Sequence, residues 1–131
     1  MRILIAEDDF ASRKFMLKFL SKFGECDVTV DGMEAVDAYL MALEAEAPYD
    51  LVCLDIMMPN LDGYQALKAI RDIEEDRKLP EEQQAKIIMT TALNEGANVN
   101  KAFDLGCVAY AGKPIEQSKF ENVLRKLGLI S

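Results

Sequence analysis

Five short apolar segments along the chain predict β-strands that are buried on both faces. Each is followed by a stretch in which apolar residues recur every three or four positions, the pattern of an amphipathic helix. This alternation is typical of βα units, in which helices cover both faces of a parallel sheet, and it predicts a three-layer α/β sandwich. The predicted strands are residues 2–6, 26–30, 50–55, 86–91 and 108–111.

The helical stretches also carry residues that favour helix boundaries. Gly24 is suited to the left-handed position that closes the first helix, and the fourth helix is expected to end near Gly106. Asp31 and Glu34 have the spacing of a capping box before the second helix. Five helices are therefore predicted, one after each strand.

The composition fits one domain. Half of the 131 residues are apolar, and 15 basic against 23 acidic residues give a net charge of −8, which argues against direct nucleic-acid binding. No apolar run approaches the roughly 20 residues that span a bilayer. The first strand begins at Arg2 and leaves no room for a signal sequence. A cytoplasmic protein without a membrane partner is expected.

Cysteine and histidine limit the available chemistry. Cys26, Cys53 and Cys107 are odd in number and lack CxxC spacing, so free thiols in a reducing compartment are predicted rather than a zinc site. The chain contains no histidine. It therefore cannot use imidazole in catalysis or serve as a phosphohistidine donor.

Acidic residues stand where two of the predicted strands end. Glu7, Asp8 and Asp9 follow the first strand, and Asp55 ends the third. Ligands of open α/β sheets bind at this edge, so Asp8, Asp9 and Asp55 are expected to converge if the two strands are neighbours. Clustered like charges require a cation, and hard oxygen ligands favour magnesium or calcium. A simpler alternative makes Asp8 or Asp9 the N-cap of the first helix.

Four sequence features are specific in combination, although each is weak alone. They are the acidic cluster 7–9, the D-x-x-x-P-x-x-x-G stretch from Asp55 to Gly63, the pair Thr91-Ala92 and the pair Lys113-Pro114. Together they resemble the receiver domain of bacterial two-component response regulators. The resemblance covers almost the whole chain and implies one receiver domain over residues 1–131. It implies a flavodoxin-like, doubly wound parallel sheet of five strands in the order 2-1-3-4-5.

The resemblance further implies a phosphorylation switch. Asp55 would be the nucleophile that accepts a phosphoryl group with the help of Mg²⁺. Asp9 would ligate the metal directly, together with Asp55 and the backbone carbonyl of Met57, while Asp8 would act through water. Lys113 would contact the phosphoryl group. Such transfer depends mainly on positioning and on neutralised charge.

The output of the switch is also implied by the resemblance. The Thr91 hydroxyl and the Ala92 N–H would follow the phosphoryl group, and Tyr110 would change rotamer with Thr91. The surface formed by the fourth helix, fifth strand and fifth helix would then signal to a downstream protein target. The phosphodonor would be a histidine kinase or a histidine phosphotransfer protein. Homodimerisation on phosphorylation is left open, and the chain is expected to be a signalling receiver rather than an enzyme.

Some positions depart from the family pattern or extend it. Gly112 stands where a larger aliphatic residue is usual, which is expected to loosen the placement of Lys113, and the Lys113-Pro114 bond is expected to be cis. Met57 and Leu93 flank the hydrolytic water in the family; both are apolar, which predicts slow dephosphorylation. The charged segment 71–86 is expected to add a helical turn or to contact a partner.

Alternatives of other kinds stay open. The chain is expected to be a stand-alone regulator, but the receiver of a hybrid kinase or of a larger regulator would have the same features. A magnesium-dependent phosphohydrolase resembling haloacid dehalogenases would need an aspartate two residues after Asp55, where Met57 stands. A flavodoxin-like electron carrier is disfavoured because acidic residues after the first strand would repel the phosphate of FMN.

Overall fold

The computed structural model describes residues 1–92 and 99–131 and contains one five-stranded parallel sheet between two layers of helices. The strand order is β2-β1-β3-β4-β5, so the predicted order and fold class are confirmed. The elements are β1 (Arg2–Ala6), α1 (Phe10–Leu20), β2 (Glu25–Thr29), α2 (Gly32–Glu44), β3 (Leu51–Asp55), α3 (Gly63–Asp76), a 3₁₀ turn (Glu81–Gln83), β4 (Lys86–Ala92), α4 (Val99–Asp104), β5 (Ala109–Lys113) and α5 (Gln117–Lys126).

The register of the sheet brings the carboxyl ends of its strands to one edge. Ala6 pairs with Leu54, and Asp55 pairs with Thr90 on the next strand. Ala92 pairs in turn with Lys113. The residues that follow β1, β3, β4 and β5 therefore meet at this edge, as parallel pairing requires.

Two apolar clusters, one on each face of the sheet, form the core. The strands β1, β3 and β4 are almost completely buried because helices cover both of their faces. One cluster packs α2 and α3 against the sheet, and the other packs α1 and α5 against the opposite face. Within the described ranges, no helix is both long and apolar enough to cross a bilayer.

Two helix boundaries differ from the sequence prediction. Helix α1 ends at Leu20, and Gly24 does not close it in the left-handed conformation. An added Cβ on Gly24 would lie 2.2 Å from the backbone oxygen of Met1, so glycine is needed there for close backbone contact. Asp31 caps α2 through the N–H of Glu34, but the Glu34 carboxylate accepts from the N–H of Val30 instead of completing a capping box.

A buried polar network in the last turns of α3 ties the charged segment 71–86 to the core. Glu74 is 1% exposed, and its carboxylate accepts hydrogen bonds from the Tyr39 hydroxyl, from the Ala85 N–H at 2.9 Å and from Arg71 at 2.6 Å. Arg71 also donates to the carbonyl of Gly106 at 3.0 Å. The network joins α2 and α3 to the start of β4 and to the end of the α4 segment.

Removing the carboxylate of this network should be costly. We expect Glu74→Ala to lower the free energy of unfolding by about 3–5 kcal/mol, because Arg71 would be left largely buried without its ion pair. The matched control Glu75→Ala removes an exposed carboxylate of the same helix and should change stability by less than about 0.5 kcal/mol. Urea denaturation of the two variants measures both values, and equal effects would contradict the assigned role.

Candidate functional site

Three carboxylates meet at the carboxyl edge of the sheet. Glu7 directly follows β1, and its N–H still donates to the carbonyl of Thr29, so the backbone there keeps the sheet geometry. Asp55 is the last residue of β3. One oxygen each from Glu7, Asp8 and Asp55 lies within 4.8 Å of the others. Glu7 is 3% exposed and Asp55 is 4% exposed, whereas Asp8 faces solvent.

Lys113 brings a positive charge to this cluster from the end of β5. Its Nζ forms an ion pair with Glu7 and lies 3.2 Å from Oδ2 of Asp55. The bond between Lys113 and Pro114 is cis, as the resemblance implied. Gly112 pairs with Thr91 in the sheet, and the Lys113 side chain reaches both buried carboxylates from the next position.

The positive charge of Lys113 does not keep the pKa values of both buried carboxylates in their ordinary range. Burial and the adjacent Glu7 raise the pKa of Asp55 to about 8, although Lys113 opposes the shift. Burial alone would raise the pKa of Glu7, but hydrogen bonds with Asp55 and Lys113 outweigh it and lower the pKa. These opposite shifts favour one proton shared by the pair near neutral pH, held mainly on Asp55.

Asp9, predicted as the direct metal ligand, lies outside this group of carboxylates. Its side chain accepts from the N–H of Ser12 at 2.9 Å and caps α1, which lowers the pKa of Asp9. The structure thus places Glu7 and Asp8 at the site, and Glu7 was missed by sequence reasoning. The available signal was the cap itself: if Asp9 caps the helix that begins at Phe10, the two preceding residues stand at the sheet edge.

The Thr91 side chain predicted to form part of the switch is completely buried near the end of β4. Its hydroxyl donates to the carbonyl of Ala92 at 3.3 Å. Tyr110 on the adjacent strand has a buried hydroxyl with no hydrogen-bond partner among residues 1–92 and 99–131. Burial raises the pKa of Tyr110. The Thr91 side chain opposes this rise, so the two switch candidates lie next to each other.

Met57 stands two residues beyond Asp55 and is 55% exposed. Its N–H donates to Oδ1 of Asp55 at 3.4 Å. Leu93, the other residue expected beside the hydrolytic water, lies outside the described residues. Slow dephosphorylation stays a prediction.

Gly63 explains the spacing of the sequence stretch that starts at Asp55. A Cβ on Gly63 would lie 2.4 Å from the carbonyl oxygen of Asp55 and 2.7 Å from Cα of Ile56. The N–H of Gly63 donates to the carbonyl of Ile56 at 2.9 Å. Helix α3 therefore begins directly against the backbone that carries Asp55, and only glycine permits this approach.

A comparison with protein families shows which family has this fold and this arrangement of carboxylates. The model of the response regulator receiver domain matches residues 3–125. The chain belongs to the response regulator receiver domain family. It is 31% identical over 129 residues to histidine protein kinase 1 of Candida albicans, an alignment that covers 98% of this chain and 5% of that kinase. The receiver domain thus spans a small part of that curated relative.

Solved receiver structures share the fold. The receiver domain of the response regulator Ssk1, crystallised with the histidine phosphotransfer protein Ypd1 of Saccharomyces cerevisiae, superposes with a TM-score of 0.81 at 27% identity, covering 98% of this chain and 88% of that one. The receiver domain of the sensor kinase PA1611 from Pseudomonas aeruginosa superposes with a TM-score of 0.73 at 27% identity, covering 95% and 94%. That structure has a magnesium ion coordinated in its active-site cleft.

The donor set of this receiver domain fits the same kind of ion. Glu7, Asp8 and Asp55 offer only carboxylate oxygens, which are the hard ligands that Mg²⁺ prefers. Two of the three side chains are buried beside a single lysine, so a divalent cation would relieve their repulsion.

The shared proton predicts an unusual pH dependence for the metal-free receiver domain. Between about pH 4 and 8 the folded protein keeps a proton on Asp55 that the unfolded chain has lost, so the free energy of unfolding should fall as pH rises through this window. The slope is at most about 1.4 kcal/mol per pH unit. Urea denaturation in EDTA measures it. Asp55→Asn should remove this contribution, and unchanged slopes in wild type and variant would contradict the shared proton.

Proposed function

We propose that this receiver domain accepts a phosphoryl group on Asp55 and thereby switches its surface for protein signalling. The observation that supports the proposal most strongly is the position of Asp55. Its carboxylate is buried at the end of a central strand, 3.2 Å from Lys113 and within reach of two further carboxylates. This is the combination of nucleophile, cation and metal ligands that phosphoryl transfer requires.

The side chains divide the work of transfer. An Asp55 oxygen forms the new bond to phosphorus, and the bond from phosphorus to the donor nitrogen or oxygen breaks. Lys113 would leave its carboxylate partners and bind a phosphoryl oxygen. Asp8, Asp55 and the Met57 carbonyl would hold Mg²⁺, with Glu7 acting through water. Magnesium, when bound, neutralises the anions that must meet.

The proposed response begins at β4. Among the described residues the Thr91 hydroxyl donates to the Ala92 carbonyl at 3.3 Å, a long hydrogen bond, so turning towards a phosphoryl oxygen would cost little. The Ala92 N–H would bind the same group. Tyr110 would follow without losing a hydrogen bond, because its buried hydroxyl has no partner in the described part of the chain. The surface of α4, β5 and α5 would then present a new shape to a downstream target.

We further propose that the phosphodonor is a histidine kinase or a phosphotransfer protein. The Ypd1 complex of the similar Ssk1 receiver supports this choice. The three free cysteines support a reducing compartment such as the cytoplasm. A place within a larger histidine kinase is an equally good context, because the alignment covers only 5% of the Candida histidine protein kinase.

A phosphohydrolase is disfavoured because Met57 offers no acid beside Asp55.

The intact mass of the protein after incubation with acetyl phosphate tests this function. Wild type with Mg²⁺ should gain one labile phosphoryl group, which increases its mass by about 80 Da. Asp55→Asn and the omission of Mg²⁺ should each abolish the gain. Asp8→Asn should slow it at least about tenfold, because a metal ligand is lost.

Asp9→Asn is the matched control for Asp8→Asn. Asparagine caps helices as well as aspartate does, so this variant should stay folded and should be phosphorylated within about twofold of the wild-type rate. If Asp9→Asn is phosphorylated slowly and Asp8→Asn at the wild-type rate, then Asp9, and not Asp8, is the metal ligand. A stable adduct on Asp55→Asn would overturn the assignment of the nucleophile.

A further inference from the structure

The loop between β3 and α3, residues 56–62, is anchored at both of its ends. At the first end, the N–H of Ile56 donates to the carbonyl of Thr90 at 3.0 Å and continues the sheet. At the second, Asp62 and Gln65 form a complete capping box at the start of α3. Between these anchors lies Met57, whose carbonyl is the proposed backbone ligand of the metal.

The Asn60 side chain connects the middle of the 56–62 loop to Asp31, the residue that caps helix α2. The Asn60 amide donates to Oδ2 of Asp31 at 2.7 Å. The other carboxylate oxygen of Asp31 accepts from the N–H of Glu34 at 2.8 Å and caps α2. Asp31 is 8% exposed, and the two hydrogen bonds lower its pKa. Both of its oxygens are therefore committed, one to the helix and one to the loop.

Backbone geometry makes this contact demanding. Asn60 has φ of +67°, in the left-handed region that asparagine tolerates better than most residues. Beside it, a Cβ on Gly32 would lie 2.0 Å from the carbonyl oxygen of Leu61. The first turn of α2 and the loop thus touch backbone to backbone. Asn60 satisfies both the left-handed conformation and the need for a donor facing Asp31.

From these contacts we infer that Asn60 and Asp31 are positioning residues that hold the 56–62 loop so that the Met57 carbonyl is aimed at the metal site. The inference rests on the proposed function and extends it to residues that touch neither metal nor phosphoryl group. Without this contact the middle of the loop would keep only the apolar packing of Met58 and Leu61, and fixing the backbone between them when the ion binds would cost conformational entropy. The Asn60 contact already fixes this part of the loop in the metal-free protein, so less entropy is lost when the ion binds.

A charge argument separates this role from a general electrostatic one. Asn60→Asp faces the Asp31 carboxylate with a second carboxylate and breaks the contact, yet it adds negative charge near the metal site. Coulomb attraction alone would therefore strengthen Mg²⁺ binding in this variant. If Asn60 acts by positioning the loop, Asn60→Asp should weaken Mg²⁺ binding instead.

The test is a swap of donor and acceptor, with the Mg²⁺ dissociation constant measured by calorimetry. Asn60→Asp should weaken binding about threefold to tenfold, the range of one hydrogen bond. Combining it with Asp31→Asn exchanges the two groups, keeps the net charge and keeps a capping residue on α2. The double variant should bind Mg²⁺ within about twofold of wild type.

Asn60→Gly is the second variant, since it keeps the left-handed conformation and removes only the amide. It should weaken Mg²⁺ binding in the same range as Asn60→Asp. Amide hydrogen exchange in EDTA provides a readout without metal. Both single changes at Asn60 should speed exchange in the 56–62 loop, and the swap should restore protection.

The outcomes separate this inference from the proposed function. Folded Asn60→Asp and Asn60→Gly proteins that bind Mg²⁺ as wild type does would overturn the positioning role and leave the function standing. A swap that restores thermal stability but not Mg²⁺ affinity would reduce the contact to a structural one. A wild type that neither binds Mg²⁺ nor takes a phosphoryl group would overturn the proposed function, and the inference with it.

Discussion

The repulsion between two buried carboxylates at one edge of the sheet is the constraint on which the rest of this structure depends. Glu7 and Asp55 are both almost inaccessible to water, and Lys113 is the cation that pairs with them. Without that cation, or without a proton on one of them, two ionised carboxylates would repel each other strongly in a medium of low polarity. The site is therefore prepared to exchange its proton for a metal ion and, in our proposal, its lysine contact for a phosphoryl group.

The fold produces this arrangement through backbone contacts as much as through side chains. The register aligns the ends of β1, β3, β4 and β5, so residues distant in sequence meet at one edge. Gly63 lets α3 start against the backbone of Asp55, and Gly32 lets α2 start against the next turn of the same loop. Two helix N-termini thus enclose the segment that follows the proposed nucleophile.

Sequence patterns predicted the strands well, because strands buried on both faces leave nearly continuous apolar segments. The strand order came from the family resemblance, whose motifs also placed Asp55 and Lys113 at strand ends. They could not decide which acidic residues after β1 face the site. Three carboxylates in succession are chemically alike, and only the start of α1 shows that Asp9 is occupied by the Ser12 N–H. Close approach at Gly24 and the divided hydrogen bonds of Asp31 depend on distant backbone, which no local pattern contains.

A crystal structure with Mg²⁺ and beryllium fluoride, which imitates a phosphoryl group, would test the central claim most directly. The account predicts beryllium bonded to an Asp55 oxygen, Mg²⁺ bound by Asp8 and Asp55, and Lys113 moved from Glu7 to a fluoride. Mg²⁺ bound through Asp9, or Lys113 still paired with Glu7 and Asp55 beside a bound fluoride, would contradict it. Either result would show that the buried carboxylates do not exchange their cation in the way proposed.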